Sequence, residues 1–456
     1  MSPAETWEEP SARFGSSTTR LLVYVLGYDD LLEQASAKFH LDHLPRAMTL
    51  GRAADDRPVG VRPPHALRVP DPWMSGDHAT LERRGDAYVI SDLGSRNGTY
   101  VNGSRVAEHR LADGDLIEVG HSLFCYRAVD LSLALLLDQP EENLRMGPTR
   151  TFCPEVALLL SDFRRIAQSK EPVLLLAETG AGKEIAASEI HRQSGRKGPF
   201  CPVDCGAIPE GLFESTFFGH RKGAFTHATE SRLGEIPRAD GGTLFLDEVA
   251  NMSPSAQAKL LRVLEDGKVT ALGAPEATLV DVRWVAATNR ELMGDPAFRS
   301  DLLRRLAGYV GRIPPLRRRR EDLGVLASHV LQEAGIRAAS ITSAAARRLF
   351  CDPFDGNVRQ LRATLRSAAF LAGGQAIDER HLPELAPPLV DGETAPQVAE
   401  QGRQARKGPP SPEQLEAVLA ATKGNVVRAA AALGTHPRQL YRWLEKANLS
   451  PDKYRG

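Results

Sequence analysis

Residues 173–184 read Val-Leu-Leu-Leu-Ala-Glu-Thr-Gly-Ala-Gly-Lys-Glu. The first four are apolar, form a run short enough for a buried strand, and lead directly into a turn of small residues. Lys183 then opens a stretch of helical character. A strand, a glycine-rich loop and a helix in this order predict a phosphate-binding loop, because backbone N–H groups and a helix N-terminus bind phosphate oxygens. The segment therefore predicts an α/β fold built around a nucleotide site.

A second segment supplies two carboxylates. Residues 241–248 read Gly-Gly-Thr-Leu-Phe-Leu-Asp-Glu, an apolar strand that ends in adjacent acids. Asp247 is expected to hold Mg²⁺, and Glu248 to polarise the attacking water. Lys183 is expected to reach the β- and γ-phosphates. A surface acid pair after a buried strand is the alternative, but the phosphate loop upstream favours an ATPase that uses ATP and Mg²⁺.

The residue pattern changes along the chain and predicts a multidomain protein. Residues 20–130 show short β-type runs broken by Gly, Asp and Pro, which predict an all-β sandwich. In residues 150–387 strands alternate with helical stretches, which predicts an α/β domain with a largely parallel sheet. Residues 388–410 are rich in Pro, Gly, Gln and Ala and are expected to be a linker. Residues 411–456 are predicted to be all-α, two helical stretches with a short turn between them.

The composition is ordinary for a soluble protein. Of the 456 residues 42% are hydrophobic and 25% are charged, which suffices for several cores. Residues 1–19 are polar, lack a signal-peptide core and are expected to be disordered. The apolar runs are too short to span a bilayer, and five scattered cysteines argue against a disulfide framework. We therefore expect a cytoplasmic protein with no membrane partner.

The distribution of charge is more informative than its total. The chain has 57 Lys and Arg against 58 Asp and Glu, a net charge of −1. Residues 403–456 nevertheless hold ten basic residues against four acidic ones. This local excess suits contact with a nucleic-acid backbone, although a solvated tail would carry the same charges.

Four further motifs lie between residues 151 and 385. They read Phe-Gly-His-Arg-Lys-Gly-Ala-Phe-Thr at 218–226, Ala-Ala-Thr-Asn at 286–289, Phe-Arg-Ser-Asp-Leu-Leu-Arg-Arg-Leu at 298–306, and Gly-Asn-Val-Arg-Gln-Leu at 356–361. Together with the phosphate loop and the acid pair, they resemble the AAA+ P-loop ATPase domain of bacterial enhancer-binding proteins, the activators of sigma-54 RNA polymerase. The resemblance covers over half of the chain and implies an α/β core with a helical lid.

The resemblance implies a role for individual residues. Asn289 is expected to sense the γ-phosphate or position the water, and Arg359 to act as the second sensor. Arg299 and Arg305 match arginine fingers, which act in the site of the neighbouring subunit. Fingers supplied in trans imply a ring, and the family forms hexamers. The expected nucleotide-binding residues are Glu178, Thr179, Gly180, Ala181, Gly182, Lys183, Glu184, Asp247 and Arg359.

The family's signature loop grips sigma-54 and reads Gly-Ala-Phe-Thr-Gly-Ala. Here the corresponding residues are Gly223, Ala224, Phe225, Thr226, His227 and Ala228. His227 adds bulk and restricts the backbone where the family has glycine. We therefore hypothesise that ATP hydrolysis is retained while coupling to sigma-54 is weakened or altered. Further departures from the family pattern are Ala177, Asp204, Thr216 and Asp355.

Three motifs follow one another in the β-rich segment. Gly-Arg lies at 51–52, Ser-Gly-Asp-His at 75–78, and Ser-Arg-Asn-Gly-Thr-Tyr-Val-Asn-Gly at 95–103. In this order they resemble a forkhead-associated (FHA) domain over residues 20–130, a sandwich whose loops read phosphothreonine.

The FHA resemblance implies a set of ligand contacts. Arg52 is expected to pair with the phosphate, and Ser75 and Arg96 to donate further hydrogen bonds. Asn97 is expected to hold the peptide backbone, and His78 to brace the loops from inside. The implied signal is a phosphothreonine-containing protein or a Ser/Thr kinase.

Residues 424–444 read as a helix, a turn containing Gly434 and a second helix. They resemble the Fis-type helix-turn-helix that ends enhancer-binding proteins. The second helix is expected to enter the major groove, and such modules bind as dimers to near-palindromic sites. The expected DNA contacts are His436, Arg438, Gln439 and Arg442.

The leading prediction is a phosphopeptide-gated, hexameric ATPase that binds upstream DNA and remodels the sigma-54 RNA polymerase holoenzyme. Two alternatives stay open. His227 favours a DNA-binding ATPase that is not coupled to sigma-54, such as a repressor or antagonist. Ala177 and Asp204 leave room for a non-enzymatic FHA adaptor tied to DNA.

Overall fold

The computed structural model describes residues 18–383 apart from 33–36, 45, 55–56, 64–65 and 226–227, and of Glu210 the backbone alone. It also describes positions 415, 416, 419, 429, 443, 444, 447 and 449. Contacts divide the chain into two compact units, Met1–Pro388 and Leu389–Gly456. The expected linker and positions 1–17 of the expected disordered N-terminus lie outside the described residues. The expected disorder is wrong for Thr18 and Thr19, which begin the first strand and pair with its neighbour.

The first unit begins with short strands separated by turns, as the glycine- and proline-punctuated sequence predicts. They are β1 (Thr18–Gly27), β2 (Ala37–His40), β3 (Ala47–Arg52), β4 (Gly60–Arg62), β5 (Ala66–Val69), β6 (Ala79–Arg84), β7 (Ala87–Asp92), β8 (Thr99–Val101), β9 (Ser104–Val106), β10 (Glu108–Arg110), β11 (Leu116–Val119) and β12 (Ser122–Asp130). They form two sheets, in the orders β2-β1-β12-β11-β8-β9 and β10-β7-β6-β3-β5-β4. Leu50 and Ile90 of one sheet share a core with Leu22 and Phe124 of the other, so the predicted all-β sandwich is confirmed.

Strand β1 is apolar on both faces. Leu22 and Tyr24 belong to the sandwich core, whereas Leu21, Val23 and Val25 pack in clusters with residues that follow the sandwich in sequence. An antiparallel strand with one solvated face would alternate apolar and polar residues. The outer face of this sheet is therefore covered by the next part of the chain.

That next part is an α/β domain. Its elements are α1 (Leu131–Leu136), β13 (Arg145–Met146), β14 (Thr149–Arg150), α2 (Pro154–Ile166), β15 (Val173–Leu176), α3 (Lys183–Ser194), β16 (Phe200–Asp204), α4 (Phe213–Phe218), β17 (Gly219–His220), β18 (Arg232–Leu233), α5 (Glu235–Arg238), β19 (Thr243–Asp247), α6 (Pro254–Asp266), β20 (Lys268–Val269), β21 (Thr278–Leu279), β22 (Arg283–Thr288), α7 (Ser300–Leu306) and β23 (Tyr309–Arg312). Five strands form a parallel sheet in the order β16-β19-β22-β15-β23. The predicted parallel α/β domain is confirmed.

Helices α8 (Leu323–Glu333), α9 (Ser343–Phe350) and α10 (Asn357–Ala372) form the predicted helical lid. One buried cluster joins them to the sandwich: Val25, Leu123 and Cys125 of β1 and β12 pack with lid residues such as Leu323 and Leu349. The sandwich and the lid thus share a core.

In the second unit, Leu415, Leu419, Ala429 and Leu444 are buried together. No helix within the described residues is both long and apolar enough to cross a bilayer.

Candidate functional site

The phosphate loop joins β15 to α3 at the carboxyl end of the parallel sheet, where α/β folds bind ligands. Gly180 and Gly182 have φ values of 77° and 107°, which residues with a side chain rarely adopt. A Cβ at Gly180 would lie 2.4 Å from the carbonyl oxygen of Gly356, whereas one at Gly182 would meet nothing within 4 Å. The lid therefore closes one side of the loop, and the loop stays open beside Gly182.

The structure brings the predicted lysine and acids together. Lys183 is 7% exposed, donates a hydrogen bond to Glu248, and places its Nζ 3.2 Å from Oδ1 of Asp247. A cation and two carboxylates therefore meet at the end of β19, next to the phosphate loop. These are the groups that phosphate binding, metal binding and water activation require.

Glu248 has a strained backbone. Its φ is 51°, and its N–H donates to Oδ1 of Asp247 over 3.0 Å. A left-handed conformation costs a residue with a side chain of order 1–3 kcal/mol, and such strain clusters at functional sites. The Glu248 carboxylate accepts the hydrogen bond from Lys183.

Two further sequence-predicted positions border this cluster. Nδ2 of Asn289 donates to the hydroxyl of Thr179 over 3.3 Å, so the predicted sensor touches the phosphate loop. Asp204 lies opposite Asp247 on the neighbouring strand. Its carboxylate accepts a hydrogen bond from the N–H of Gly206 over 2.9 Å, which ties it to its own turn.

The lid and the segment just before it hold the loop through residues to which the sequence analysis gave no role. The side chain of Asn357 accepts from the N–H of Leu316 over 2.7 Å and donates to Glu178 and to the carbonyl of Thr179, both over 3.1 Å. Arg317 donates to both oxygens of Glu178 over 2.8 and 2.6 Å and holds the pKa of that carboxyl below its usual range.

Arg317 is the first of four consecutive arginines at 317–320, and the third of them, Arg319, also holds the loop. It is 2% exposed, and its Nη2 donates to the carbonyl of Ala181 over 2.7 Å. A buried arginine that bonds a loop carbonyl fixes the backbone of that loop. The signal in the sequence was the run at 317–320 itself, which motif matching left without an assigned role.

The three predicted arginines of the nucleotide site occupy different places. Arg359 is exposed on α10, and its Cβ would lie 2.9 Å from a Cβ at Gly180, so it borders the loop of its own chain. Arg299 precedes α7 and bonds Asp301 over 2.7 and 3.1 Å. Arg305, within α7, donates to the carbonyl of Leu264 over 3.3 Å. Both finger candidates are exposed on the surface of their own segment.

The signature loop is closed by its own backbone. The N–H of Gly223 donates to the carbonyl of Ala228 over 2.8 Å, and the N–H of Ala228 to the carbonyl of Phe225 over 2.9 Å. The ring of Phe225 is 39% exposed and lies edge-on to His220, with centroids 5.0 Å apart. The loop thus presents an aromatic side chain; Thr226 and His227 lie outside the described residues.

The predicted phosphothreonine residues converge at one end of the sandwich. Arg52 is exposed and bonds the carbonyl of Pro72 over 3.4 Å. The hydroxyl of Ser75 accepts from the N–H of Arg96 over 3.2 Å. Nδ2 of Asn97 donates to the carbonyl of Trp73 over 2.6 Å. Cations and donors therefore meet on adjacent loops, as phosphate recognition requires.

His78 braces these loops from inside, as predicted. It is fully buried; its Nδ1 accepts from the N–H of Ser75 and its Nε2 lies against the carbonyl of Gly98, both at 3.1 Å. Asp92 anchors the second loop by accepting hydrogen bonds from Ser95 and Thr99.

The predicted DNA contacts His436, Arg438, Gln439 and Arg442 lie outside the described residues.

Family models match four parts of the chain. The FHA domain model matches residues 48–120, and the sigma-54 interaction domain model matches 152–310. The AAA+ ATPase lid domain model matches 317–395, and that of bacterial regulatory proteins of the Fis family matches 413–446. The predicted fold class, an FHA sandwich, an AAA+ domain with a lid and a helix-turn-helix, is confirmed.

Curated relatives match more than half of the chain. The Nif-specific regulatory protein of Azotobacter vinelandii is 38% identical over 324 residues, which cover 68% of this chain and 59% of that protein. NtrC, a DNA-binding transcriptional regulator of Escherichia coli, is 42% identical over 259 residues, 54% of this chain and 55% of NtrC. This chain therefore spans little more than half the length of these two.

The transcriptional regulatory protein GlrR of Escherichia coli is matched more completely. It is 36% identical over 340 residues, which cover 72% of this chain and 74% of GlrR. The chain therefore belongs to the NtrC-like family of sigma-54-dependent transcriptional regulators.

Proposed function

We propose that this protein hydrolyses ATP in an oligomeric ring and uses the energy to remodel sigma-54 RNA polymerase holoenzyme at promoters with an upstream binding site. The observation that carries the proposal is the meeting of Lys183, Asp247 and Glu248 beside the phosphate loop. The match to the sigma-54 interaction domain model supports the polymerase as the partner. We propose that the protein acts in the cytoplasm, where its proposed partners, DNA and RNA polymerase, are found.

The proposed nucleotide site divides its work among the residues of the loop and the acid pair. The backbone of Glu178–Glu184 surrounds the phosphates, Lys183 neutralises their charge, and Arg359 contacts the nucleotide from the lid. Asp247 has the oxygen donor that Mg²⁺ prefers, and the metal would supply charge neutralisation at the phosphates. Glu248 takes the proton of the attacking water, while Asn289 orients that water.

The arginine fingers complete the site from a neighbouring subunit. Arg299 bonds Asp301, and Arg305 bonds the carbonyl of Leu264 in α6. Both side chains are exposed, which leaves their guanidinium groups accessible at a subunit boundary. A guanidinium group from the next subunit neutralises charge that develops during phosphoryl transfer. Activity is therefore expected to require a ring, for which the family's hexamer is the proposed state.

The signature loop is the proposed contact with sigma-54. It comprises Gly223–Ala228, and its exposed Phe225 offers an aromatic anchor of the kind that dominates protein interfaces. At the other two ends of the architecture, the FHA loops are proposed to bind a phosphothreonine protein or kinase, and His436, Arg438, Gln439 and Arg442 to contact DNA.

Transcription in vitro tests the proposal. The full-length protein, sigma-54 holoenzyme and a promoter with an upstream site are expected to form open complexes only when ATP is present. Lys183→Ala is expected to abolish phosphate release and open-complex formation together. A wild-type protein that stays monomeric with nucleotide and releases no phosphate would overturn the ATPase proposal.

His227 supports a second candidate, an ATPase that binds DNA without driving sigma-54. The residue replaces a family glycine in the loop that contacts sigma-54. The two candidates separate in a sigma-54 reporter assay with His227→Gly. Increased transcription at unchanged ATPase rate indicates weakened coupling in the wild type, whereas full wild-type activation that the variant does not change removes the second candidate.

A further inference from the structure

The phosphate loop is held by a short segment between the α/β core and the lid. We call this segment, Leu316–Asp322, the connector. Its Arg317 binds the carboxylate of Glu178, and its buried Arg319 binds the carbonyl of Ala181. Two of the loop's residues therefore take their positions from the connector.

The FHA sandwich holds the same connector from the opposite side. Arg127 of β12 forms an ion pair with Glu321, and the side chains are 4% and 1% exposed. The guanidinium also bonds Asp113 of the sandwich over 2.8 Å and Glu155 of α2 over 2.7 Å. Arg127 thus ties the connector both to the sandwich and to α2. Its partner Glu321 is separated from Arg319 by only one residue.

Neighbouring contacts leave the connector little freedom. A Cβ at Gly324, where α8 begins, would lie 1.9 Å from the carbonyl oxygen of Val25, so helix and β1 backbone touch. Asp322 accepts from the N–H of Phe152 over 2.6 Å and from the hydroxyl of Thr151 over 2.8 Å. Since packed interiors transmit displacement rather than absorb it, movement of the sandwich at this point reaches the connector.

We propose that the FHA sandwich is a positioning part of the nucleotide site, and that Arg127 acts through Glu321 on the connector to set the phosphate loop. Arg127 touches neither nucleotide nor loop, so it is a positioning residue. This inference rests on the proposed binding of ATP at the loop. Nucleotide affinity then depends on the docked sandwich as well as on the α/β domain that contains the phosphate loop.

The chain supplies a matched control. Arg347 of α9 forms a second ion pair across the boundary between sandwich and lid, with Glu118 over 2.7 and 2.9 Å, and its guanidinium lies 3.8 Å from the ring centroid of Tyr100. This pair contacts α9 and not the connector. Removing it weakens the same boundary without touching the loop's support.

The experiment compares two double variants of the full-length protein, Arg127→Met/Glu321→Met and Arg347→Met/Glu118→Met. Removing both members of a pair avoids leaving one buried charge alone. Fluorescence titration with an ATP analogue gives the dissociation constant, steady-state kinetics give KM and kcat, and thermal unfolding gives the stability of each variant.

We expect the Arg127/Glu321 variant to bind nucleotide roughly tenfold more weakly, within the range typical of energetically coupled sites. KM rises more than kcat falls, because the connector supports the loop and not Glu248. The Arg347/Glu118 variant keeps wild-type affinity. Equal loss of affinity in both variants would mean that the boundary only stabilises the fold, and would overturn the proposal.

A folded Arg127/Glu321 variant with wild-type affinity also overturns the proposal. If that variant does not fold, Arg127→Lys decides, because lysine keeps the charge but cannot bond three carboxylates in the fixed geometry of a guanidinium. Wild-type affinity in the lysine variant refutes the inference, and weakened affinity supports it. A wild-type protein that binds no nucleotide refutes the proposed function, and this inference with it.

Discussion

Glu248 combines a strained backbone with a carboxylate held against a lysine. If it is the base, Glu248→Gln keeps the side chain's shape and removes only its ability to take a proton. We expect nearly unchanged nucleotide binding and a fall in kcat of roughly 10²–10⁴, the usual range for general-base catalysis. Phosphate release measured at saturating ATP checks this.

Glu265→Gln, at an exposed position of α6, is the matched control and is expected to behave as wild type. A Glu248→Gln protein that still turns over at the wild-type rate would place the base elsewhere.

His78 makes the stability of the sandwich depend on pH. Burial lowers the pKa of its imidazole below the ordinary 6.5, although the hydrogen bond with the Gly98 carbonyl favours the charged form. The unfolded chain therefore takes up a proton at a higher pH than the folded chain does. The contribution of His78 to stability is complete above 6.5 and is lost as the pH falls through 6.5 toward the lowered, folded-state pKa.

Denaturant unfolding of wild type and His78→Gln at pH values from about 7.5 to about 5.5 tests this linkage. The variant is expected to be less stable at neutral pH, with a shallower decline toward acid. Parallel declines in the two proteins would show that another group titrates.

The sequence predicted the residues of the catalytic cluster but not the residues that hold the phosphate loop in place. Lys183, Asp247 and Glu248 lie in short motifs, each at the end of a strand. Because the strands are parallel, the sequence alone predicts that these residues meet at one edge of the sheet. Asn357 and Arg319 donate hydrogen bonds to the carbonyls of Thr179 and Ala181, which lie far away in the chain. Nothing in their immediate sequence specifies those partners.

At the scale of elements, β1 carried a signal that could have been used. Its run Leu21–Leu26 is unbroken by polar residues, although antiparallel sandwich strands with a wet outer face alternate. The run predicts a second buried face. It does not identify what covers that face, because one part of the cover, α8, begins about 300 residues later, at Leu323.

The second residue of helix α8, Gly324, is a glycine that its surroundings require. Alanine is favoured over glycine in helices by about 1 kcal/mol. At Gly324, however, a Cβ would lie 1.9 Å from the Val25 carbonyl oxygen, so α8 or β1 would have to move. We expect Gly324→Ala to lower the free energy of unfolding by roughly 1–3 kcal/mol, as overpacking does.

Urea unfolding measures the effect, with Gly211→Ala as the control because a Cβ there meets nothing within 4 Å. A more stable Gly324→Ala protein would mean that the helix and the strand are not in contact in solution.

At the scale of the molecule, the residue pattern predicts the sandwich and the α/β domain as separate domains, whereas packing joins the sandwich to the lid. One buried cluster contains residues of β1, β12 and all three lid helices. We therefore expect residues 18–383 to unfold in a single cooperative transition. Hydrogen exchange of amides in β7 and in β22, measured at increasing denaturant, is expected to give the same opening free energy for both.

Sandwich amides that open at much lower denaturant than those of β22 would contradict this expectation. Sequence reasoning reached the fold class of each part because strands, loops and caps follow from local residue patterns. It did not reach the shared core, because the packing of Leu123 and Leu349 into one buried cluster depends on the whole arrangement of the chain.

The joint between Gly324 and the Val25 carbonyl also restricts how such a chain can be rebuilt by recombination. A recombination crossover between residues 130 and 150 would replace the FHA sandwich while keeping the lid. The lid face that packs against β1 would then meet a different strand. The leucines of this lid face would then be exposed to water, and such an apolar patch promotes aggregation. Successful exchange of the module must therefore carry α8, α9 and α10 with it, so the unit of inheritance here is a sandwich together with its lid.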